Sequence, residues 1–203
     1  MTIYCYDTEF LEDGKTIELI SIGIVCEDGR EYYAVNHDMP HDRISRNDWL
    51  CQNVVTHLPL RSSGLKGKSP RRSGGGSWLW SLDDHSTLVK PKWVIANEVR
   101  EFLLQGVDLE TPGVLPERPE LWAYYTAYDH VALTQLWGRM INLSKGIPMY
   151  TRDLKQEMDR LRIGSDAVSK PENEHDALAD ARWNMAMLHK LRAVAAGAAE
   201  VPF

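Results

Sequence analysis

The chain is short of most features that decide a protein's class at first sight. Its 203 residues hold three cysteines, Cys5, Cys26 and Cys51, and no C-x-x-C pair. An odd count without that spacing argues against a disulfide framework. Cys5 and Cys26 fall in expected strands and read as small buried hydrophobes. His37, His41, Cys51 and His57 fit no zinc module, because Pro40 breaks the helical pairing of the first two. No apolar run approaches the roughly 18 residues of a membrane span. The start, Met1-Thr2-Ile3-Tyr4-Cys5-Tyr6-Asp7, has neither a basic stretch nor a cleavage site. No secretory signal is therefore expected, and the cytoplasm is the default compartment. Positive charge is also scarce, with 23 Lys and Arg against 29 Asp and Glu and a net charge of −6. That balance does not suit a general polyanion binder, though it leaves room for an acidic metal site served by a local basic surface. Gly67-Lys68-Ser69 copies the end of a phosphate-binding loop, but Ser62 stands where its first glycine is required and no strand precedes it.

What is present is an ordinary globular composition, 43% hydrophobic and 26% charged, in a length that suits one domain with a real core. That domain is expected over residues 1–192, with an insertion at about 60–85 and a frayed Ala/Gly-rich tail over 193–203. Ile3-Tyr4-Cys5-Tyr6 reads as a short strand closed by Asp7-Thr8-Glu9. Residues 17–26 read as a long strand covered on both faces, Ile20, Ile22, Ile24 and Cys26 on one side, Leu19, Ser21, Gly23 and Val25 on the other. Ser21 and Gly23 leave room for a close helix. Asp28-Gly29 turns the chain into a return strand over residues 31–36, completing a three-stranded meander.

Residues 47–57 read as a short helix with Trp49, Leu50, Val54 and Leu58 inward. Residues 62–77, rich in Gly and Ser and carrying Lys66, Lys68, Arg71 and Arg72, read as a mobile surface insertion. The rival reading is a basic arm that touches phosphates. A helix over 93–104, a proline-bearing linker over 106–119 and a strand over 121–125 follow. Thr126 is placed to cap a helix that Gly138 ends. A strand or turn at 150–151, a helix over 153–161 and a loop lead to a last helix opened by His175 or Asp176. Leu178, Ala181, Met185 and Leu188 line one face of it.

Chemistry enters with the acidic residues. Asp7 and Glu9 are two apart in a strand, so their carboxylates project to one face. Adjacent carboxylates repel and resist burial, and a hard divalent cation such as magnesium or manganese is the usual compensation. A lone D-x-E is more often a solvated turn, so the case rests on matching carboxylates elsewhere. Asp129 lies in the first turn of a helix just past a strand, where a capping role is the even alternative. Asp180 lies one turn inside the last helix. His175, five residues earlier, sits on the entry loop, from which its imidazole can swing toward a substrate.

In that order, Asp-x-Glu, Asp and His-x4-Asp resemble the DEDD superfamily of 3′-to-5′ exonucleases in its histidine branch. The tyrosine branch places its tyrosine where this chain has Asp176. Longer stretches add to the resemblance: Asp7-Thr8-Glu9-Phe10, Thr16-Ile17-Glu18-Leu19-Ile20-Ser21-Ile22-Gly23, Ala127-Tyr128-Asp129-His130-Val131-Ala132-Leu133 and His175-Asp176-Ala177-Leu178. These are similar to ribonuclease AS enzymes, the polyadenylate-specific 3′-exoribonucleases of actinobacteria. The similarity covers about residues 3–36, 93–104 and 120–190 and lapses over 60–85.

The resemblance implies an α/β fold of the ribonuclease-H-like type, a mixed five-stranded sheet flanked by helices, paired as a homodimer. It implies two Mg2+ or Mn2+ ions held by Asp7, Glu9, Asp129 and Asp180, with neutral His175 as general base. The substrate would be the 3′ end of single-stranded RNA and the product a nucleoside 5′-monophosphate. Phe10 is a candidate to stack on the terminal base and equally a core phenylalanine. Glu18 and His130 are weaker substrate candidates, since strand closure and helix packing explain them as well. Alternatives with the same chemistry are a DNA-trimming exonuclease and an oligoribonuclease. From another class, the rival is an RNA-binding module without catalysis, against which the full set of four carboxylates and a histidine stands.

Overall fold

The computed structural model describes residues 1–70, 76–111 and 118–197. β1 (Ile3–Glu12) and β2 (Ile17–Cys26) pair antiparallel, and β3 (Glu31–Asn36) continues antiparallel beside β2. This is the expected meander, with Gly29 at φ 90° in the Asp28-Gly29 turn, a conformation glycine enters without a Cβ clash. Three further strands extend the sheet: β6 (Val89–Lys90) parallel to β3, β7 (Glu120–Ala123) parallel to β1, and β8 (Arg152–Asp153) parallel to β7. The sheet is therefore mixed and six-stranded, in the order β6-β3-β2-β1-β7-β8, rather than five-stranded. At two residues each, β6 and β8 are too short for a period-two pattern to register.

Helices cover both faces. α3 (Lys92–Leu103) and α4 (Ala127–Thr134) lie on one side, where Ile95, Val99 and Leu133 pack on Tyr4, Tyr6, Ile22 and Ile24. α5 (Leu154–Leu161) and α6 (Ala177–Gly197) lie on the other, where Leu154, Met187 and Leu188 pack on Cys5, Val25 and Trp122. Each such fully buried aliphatic contributes ~1.5–3 kcal/mol. β1 alternates strictly between the two layers: Tyr4 and Tyr6 face α3 and α4, Ile3 and Cys5 face α5 and α6. A third cluster gathers Leu11, Ile20 and Val35 against α1 (His41–Ile44) and α2 (Asp48–Asn53), with Trp80 and Leu82. Among the described residues no helix is long and apolar enough to cross a membrane.

The alternation expected along β2 breaks once. Glu9 pairs with Ser21 but Phe10 pairs with Leu19, so Ile20 is the extra residue of a β-bulge. Leu19 consequently shares the core of Ile22 and Ile24, while Ile20 turns to the third cluster. One inserted residue reverses the facing of everything beyond it. Gly23 behaves as expected: a Cβ there would meet the Ala177 carbonyl oxygen at 2.3 Å and Leu178 Cα at 2.5 Å. Its missing side chain is what lets the start of α6 lie on the sheet beside β1.

Other expectations shift. Asp7 and Glu9 lie in the middle of β1, which runs on to Glu12, rather than at a strand end. Within the stretch expected to be an insertion, β4 (Lys66–Pro70) and β5 (Gly76–Leu79) form an antiparallel ribbon. It is tied down where Trp78 N donates to Ser45 O at 2.8 Å and the Trp78 indole to Asp48 at 3.0 Å. Arg71 and Arg72 lie outside the described residues, as do 112–117 of the expected linker and 198–203 of the expected tail. α6 continues past Ala193 to Gly197. Thr126 precedes α4 but makes no capping hydrogen bond, because its own backbone is already helical. Gly138 does end that region, at φ 78° after a single 3-10 turn.

Candidate active site

The two carboxylates of β1 sit on the strand face that looks toward α6. Gly23 is the cross-strand partner of Asp7, so the closest approach of α6 to the sheet occurs beside that carboxylate. α6 opens with a side-chain cap: Asp176 Oδ1 accepts from Leu178 N at 3.1 Å and Ala179 N at 2.9 Å, satisfying amides with no helical partner. One turn on, Asp180 Oδ2 accepts the His175 amide at 2.8 Å. Asn184, a further turn along, donates to the Tyr6 carbonyl at 2.9 Å while fully buried. That bond sets how far α6 can slide along β1 and hence where Asp180 stands.

Asp129 approaches from the opposite layer. It lies in the first turn of α4, but its carboxylate does not cap that helix. Oδ1 accepts from Thr8 N at 2.9 Å and Thr8 Oγ1 at 2.6 Å. Thr8, the residue between Asp7 and Glu9, thus faces the α4 layer and draws the third carboxylate to the same stretch of β1.

His175 has φ 71°, a left-handed backbone that histidine tolerates better than most residues. Its Nδ1 lies 3.9 Å from Glu9 Oε1. One ligating atom each from Glu9, His175 and Asp180 fall within 4.8 Å of one another. Asp7 and Asp129 line the same cleft, whose volume is about 410 Å³. All five residues expected to be catalytic are therefore brought together. Phe10 also lines the cleft and stacks on Tyr128, ring centroids 5.9 Å apart and planes 14° from parallel. The other two substrate candidates stand elsewhere. Glu18 lies 3.5 Å from the Arg43 guanidinium, and His130, on α4, has its Nδ1 3.4 Å from the Tyr6 hydroxyl.

The electrostatics of the cleft are unfavourable without a cation. Burial, and then Asp129, Glu9 and Asp180, push the Asp7 carboxyl well above its usual range. Glu9 is pushed up to about 9, by burial first and then by Asp180 and Asp129. Burial raises Asp129 to about 6 against the opposing hydrogen bonds from Thr8, and it raises Asp180 against the His175 amide. The one lysine on the wall, Lys170, pairs with Glu174 at 3.0 Å. Converging hard oxygen donors with no positive side chain among them fit a divalent cation of the magnesium or manganese kind.

In the metal-free protein Glu9 and Asp129 keep their protons to higher pH folded than unfolded, so the folded state binds more protons between about pH 4 and pH 9. Stability then falls as pH rises through that window. Thermal midpoints measured with EDTA should decline from about pH 5 to about pH 8.5, and saturating Mg2+ should flatten the decline. A midpoint that rises over that range with EDTA would mean the carboxylates are already compensated within the chain.

Sequence reasoning missed Asn184 and misplaced Trp49. Asn184 is four residues beyond Asp180 on one helical face, and a polar residue on that otherwise apolar face was the available signal. Trp49 was expected inward; it lies on the cleft wall, half exposed, because Leu50, Cys51 and Val54 already fill the inner side of α2.

Comparison with known proteins adds to the geometry. A family model described as the 3'-5' exoribonuclease Rv2179c-like domain matches residues 2–191. The 3'-5' exoribonuclease Rv2179c of Mycobacterium tuberculosis strain H37Rv is 40% identical over 180 residues, which span 88% of this chain and 86% of that protein. The 3'-5' exoribonuclease MT2234.1 of M. tuberculosis strain CDC 1551 matches with the same identity and coverage.

Proposed function

Because the chain belongs to the Rv2179c-like 3'-5' exoribonuclease family and is a 3'-5' exoribonuclease, we propose that it works as a metal-dependent DEDD enzyme of the histidine branch. In this reading it trims single-stranded RNA from the 3′ end to nucleoside 5′-monophosphates, with adenylate-rich ends as preferred substrate and ribonuclease AS as the group it resembles. The observation that carries the reading is the convergence of Asp7, Glu9, Asp129, Asp180 and His175 on one cleft from β1, α4 and the entry to α6.

Asp7, Glu9, Asp129 and Asp180 would hold two divalent cations, which supply a more acidic bound water and charge stabilisation at the leaving oxygen. The chain's own residues do the rest. His175, at the mouth of the cleft, takes the proton of the attacking water. Thr8 orients Asp129, Asp176 anchors the start of α6, and Asn184 holds Asp180 in register. Phe10, braced by Tyr128, offers its face to a base near the 3′ end. The ribonuclease-H-like assignment is supported by the mixed sheet with helices on both faces. The homodimer is supported by exposed apolar side chains at Met140, Ile141, Met149 and Tyr150, which a second copy would cover. A single domain over residues 1–192 is supported by the family match across nearly all of it.

The test uses 5′-labelled strands of oligo(A), oligo(U) and matching DNA, with Mg2+ and then with EDTA. A ladder that shortens from the 3′ end, needs Mg2+ and runs fastest on oligo(A) is the expected result. Equal trimming of all RNAs would sink the adenylate preference and keep the chemistry. Trimming in EDTA would sink the metal dependence.

A further inference from the structure

Beneath the start of α6 lies a polar group that the proposed chemistry leaves unused. Tyr33 on β3 is the cross-strand partner of Gly23 on β2, and Gly23 is the partner of Asp7 on β1. Directly paired residues send their side chains to one face, so Asp7, Gly23 and Tyr33 form a row under α6. The Ala177 carbonyl comes down on the bare centre of that row. Further along the helix Arg182 grips Glu31, two residues before Tyr33, with bonds of 2.8 and 2.6 Å. β3 thus runs under the first turns of α6, with Tyr33 toward the opening residues.

The Tyr33 ring packs against the third cluster, where phenylalanine would serve as well. Its hydroxyl is buried and, among the described residues, completes no hydrogen bond. Leaving such a donor unpaired in the interior is costly. Burial above all, then the charge of Asp176, raise its proton affinity against the pull of Ser21, and Glu9 adds to the effect. The phenol therefore stays a donor, and Asp176 is the acceptor with room for it. Asp176 Oδ1 serves the amides of Leu178 and Ala179, while among the described residues nothing donates to Oδ2. The Asp176 carbonyl accepts Asp180 N at 2.9 Å, and the Asp180 carboxylate accepts the His175 amide. The three residues form one hydrogen-bonded turn, so whatever fixes the Asp176 carboxylate steadies the other two.

Resting on the exoribonuclease reading above, we propose that Tyr33 is a positioning residue whose hydroxyl donates to Asp176, directly or through one buried water, and so holds the turn that carries His175 and Asp180. Tyr33 does not line the cleft. It acts through the geometry of the two groups that do.

The experiment is a double-mutant cycle on kcat for labelled oligo(A) at saturating Mg2+, with Tyr33→Phe, Asp176→Asn and the double variant. Phenylalanine keeps the ring. Asparagine keeps the helix cap, and its amide nitrogen, turned toward Tyr33, cannot accept. Each single change should lower kcat about tenfold to a hundredfold with KM little altered, and the double variant should lose no more than either single. A second readout needs no activity: hydrogen exchange at the His175 amide should quicken in both single variants. Losses that multiply in the double variant would overturn the proposal, as would a Tyr33→Phe enzyme with wild-type kcat and wild-type exchange. If wild type trims no RNA, the exoribonuclease reading itself has failed, and exchange at His175 decides alone. Quickened in Tyr33→Phe, it upholds the link to Asp176; unchanged, it overturns it.

Discussion

Asp7→Asn should reduce turnover by about a thousandfold or more while making the metal-free protein more stable. The two effects share one cause. Asp7 lies partly buried in the cleft among Asp129, Glu9 and Asp180, and every one of those neighbours, together with burial, disfavours its charge. Asparagine keeps the shape and removes the charge, so the repulsion is relieved when no cation is present. In the proposed two-cation reading the same change would remove a hard anionic ligand, and with it the several kcal/mol of charge stabilisation that a bound divalent cation would supply. Rates on a labelled oligo(A) ladder and thermal midpoints with EDTA and with Mg2+ check both halves. Activity should collapse, the EDTA midpoint should rise, and the gain in midpoint on adding Mg2+ should shrink. A lower EDTA midpoint with the Mg2+ response intact would make Asp7 a structural residue.

His175→Asn should reduce kcat by ~10²–10⁴, the usual contribution of a positioned general base. Asparagine is the informative replacement because His175 occupies a left-handed backbone, φ 71°, which asparagine accepts more readily than alanine. The amide that donates to Asp180 is thereby kept, and the loss reports the imidazole. KM should change little, since the imidazole is proposed to act on the water. A variant with a full rate would show that His175 only buttresses the loop. Loss of Mg2+ stabilisation in this variant, alongside the rate, would instead place the imidazole among the metal ligands.

The residues that meet in the cleft were legible in the chain because they are marked by residue type and short spacing. Asp7 and Glu9 declare a shared face by being two apart in a strand, and His175 with Asp180 declares a helix entrance. The meander was legible too, from the apolar residues 17–26 and the Asp28-Gly29 turn, and Gly23 announced a close helix by the absence of bulk. What escaped was whatever depends on more distant parts of the chain. The bulge at Ile20 leaves no mark on a strand whose two alternating sets are both largely apolar or small. Trp49 reads as core on α2 until Leu50, Cys51 and Val54 are seen to fill that side. Glu18 lies near the start of β2, opposite Leu11, where it pairs with Arg43 outside the cleft.

By itself, then, the sequence determined the candidates: which carboxylates, which histidine, and on which kinds of element they ride, because periodicity and residue type are local properties. Only the tertiary structure decided that they meet. Asp129 comes from the layer opposite to Asp180, and Thr8 and Asn184 bring the two to one strand through contacts 121 and 178 residues apart in the chain. Such contacts depend on packing two helical layers against a single sheet, and no local pattern encodes that distance.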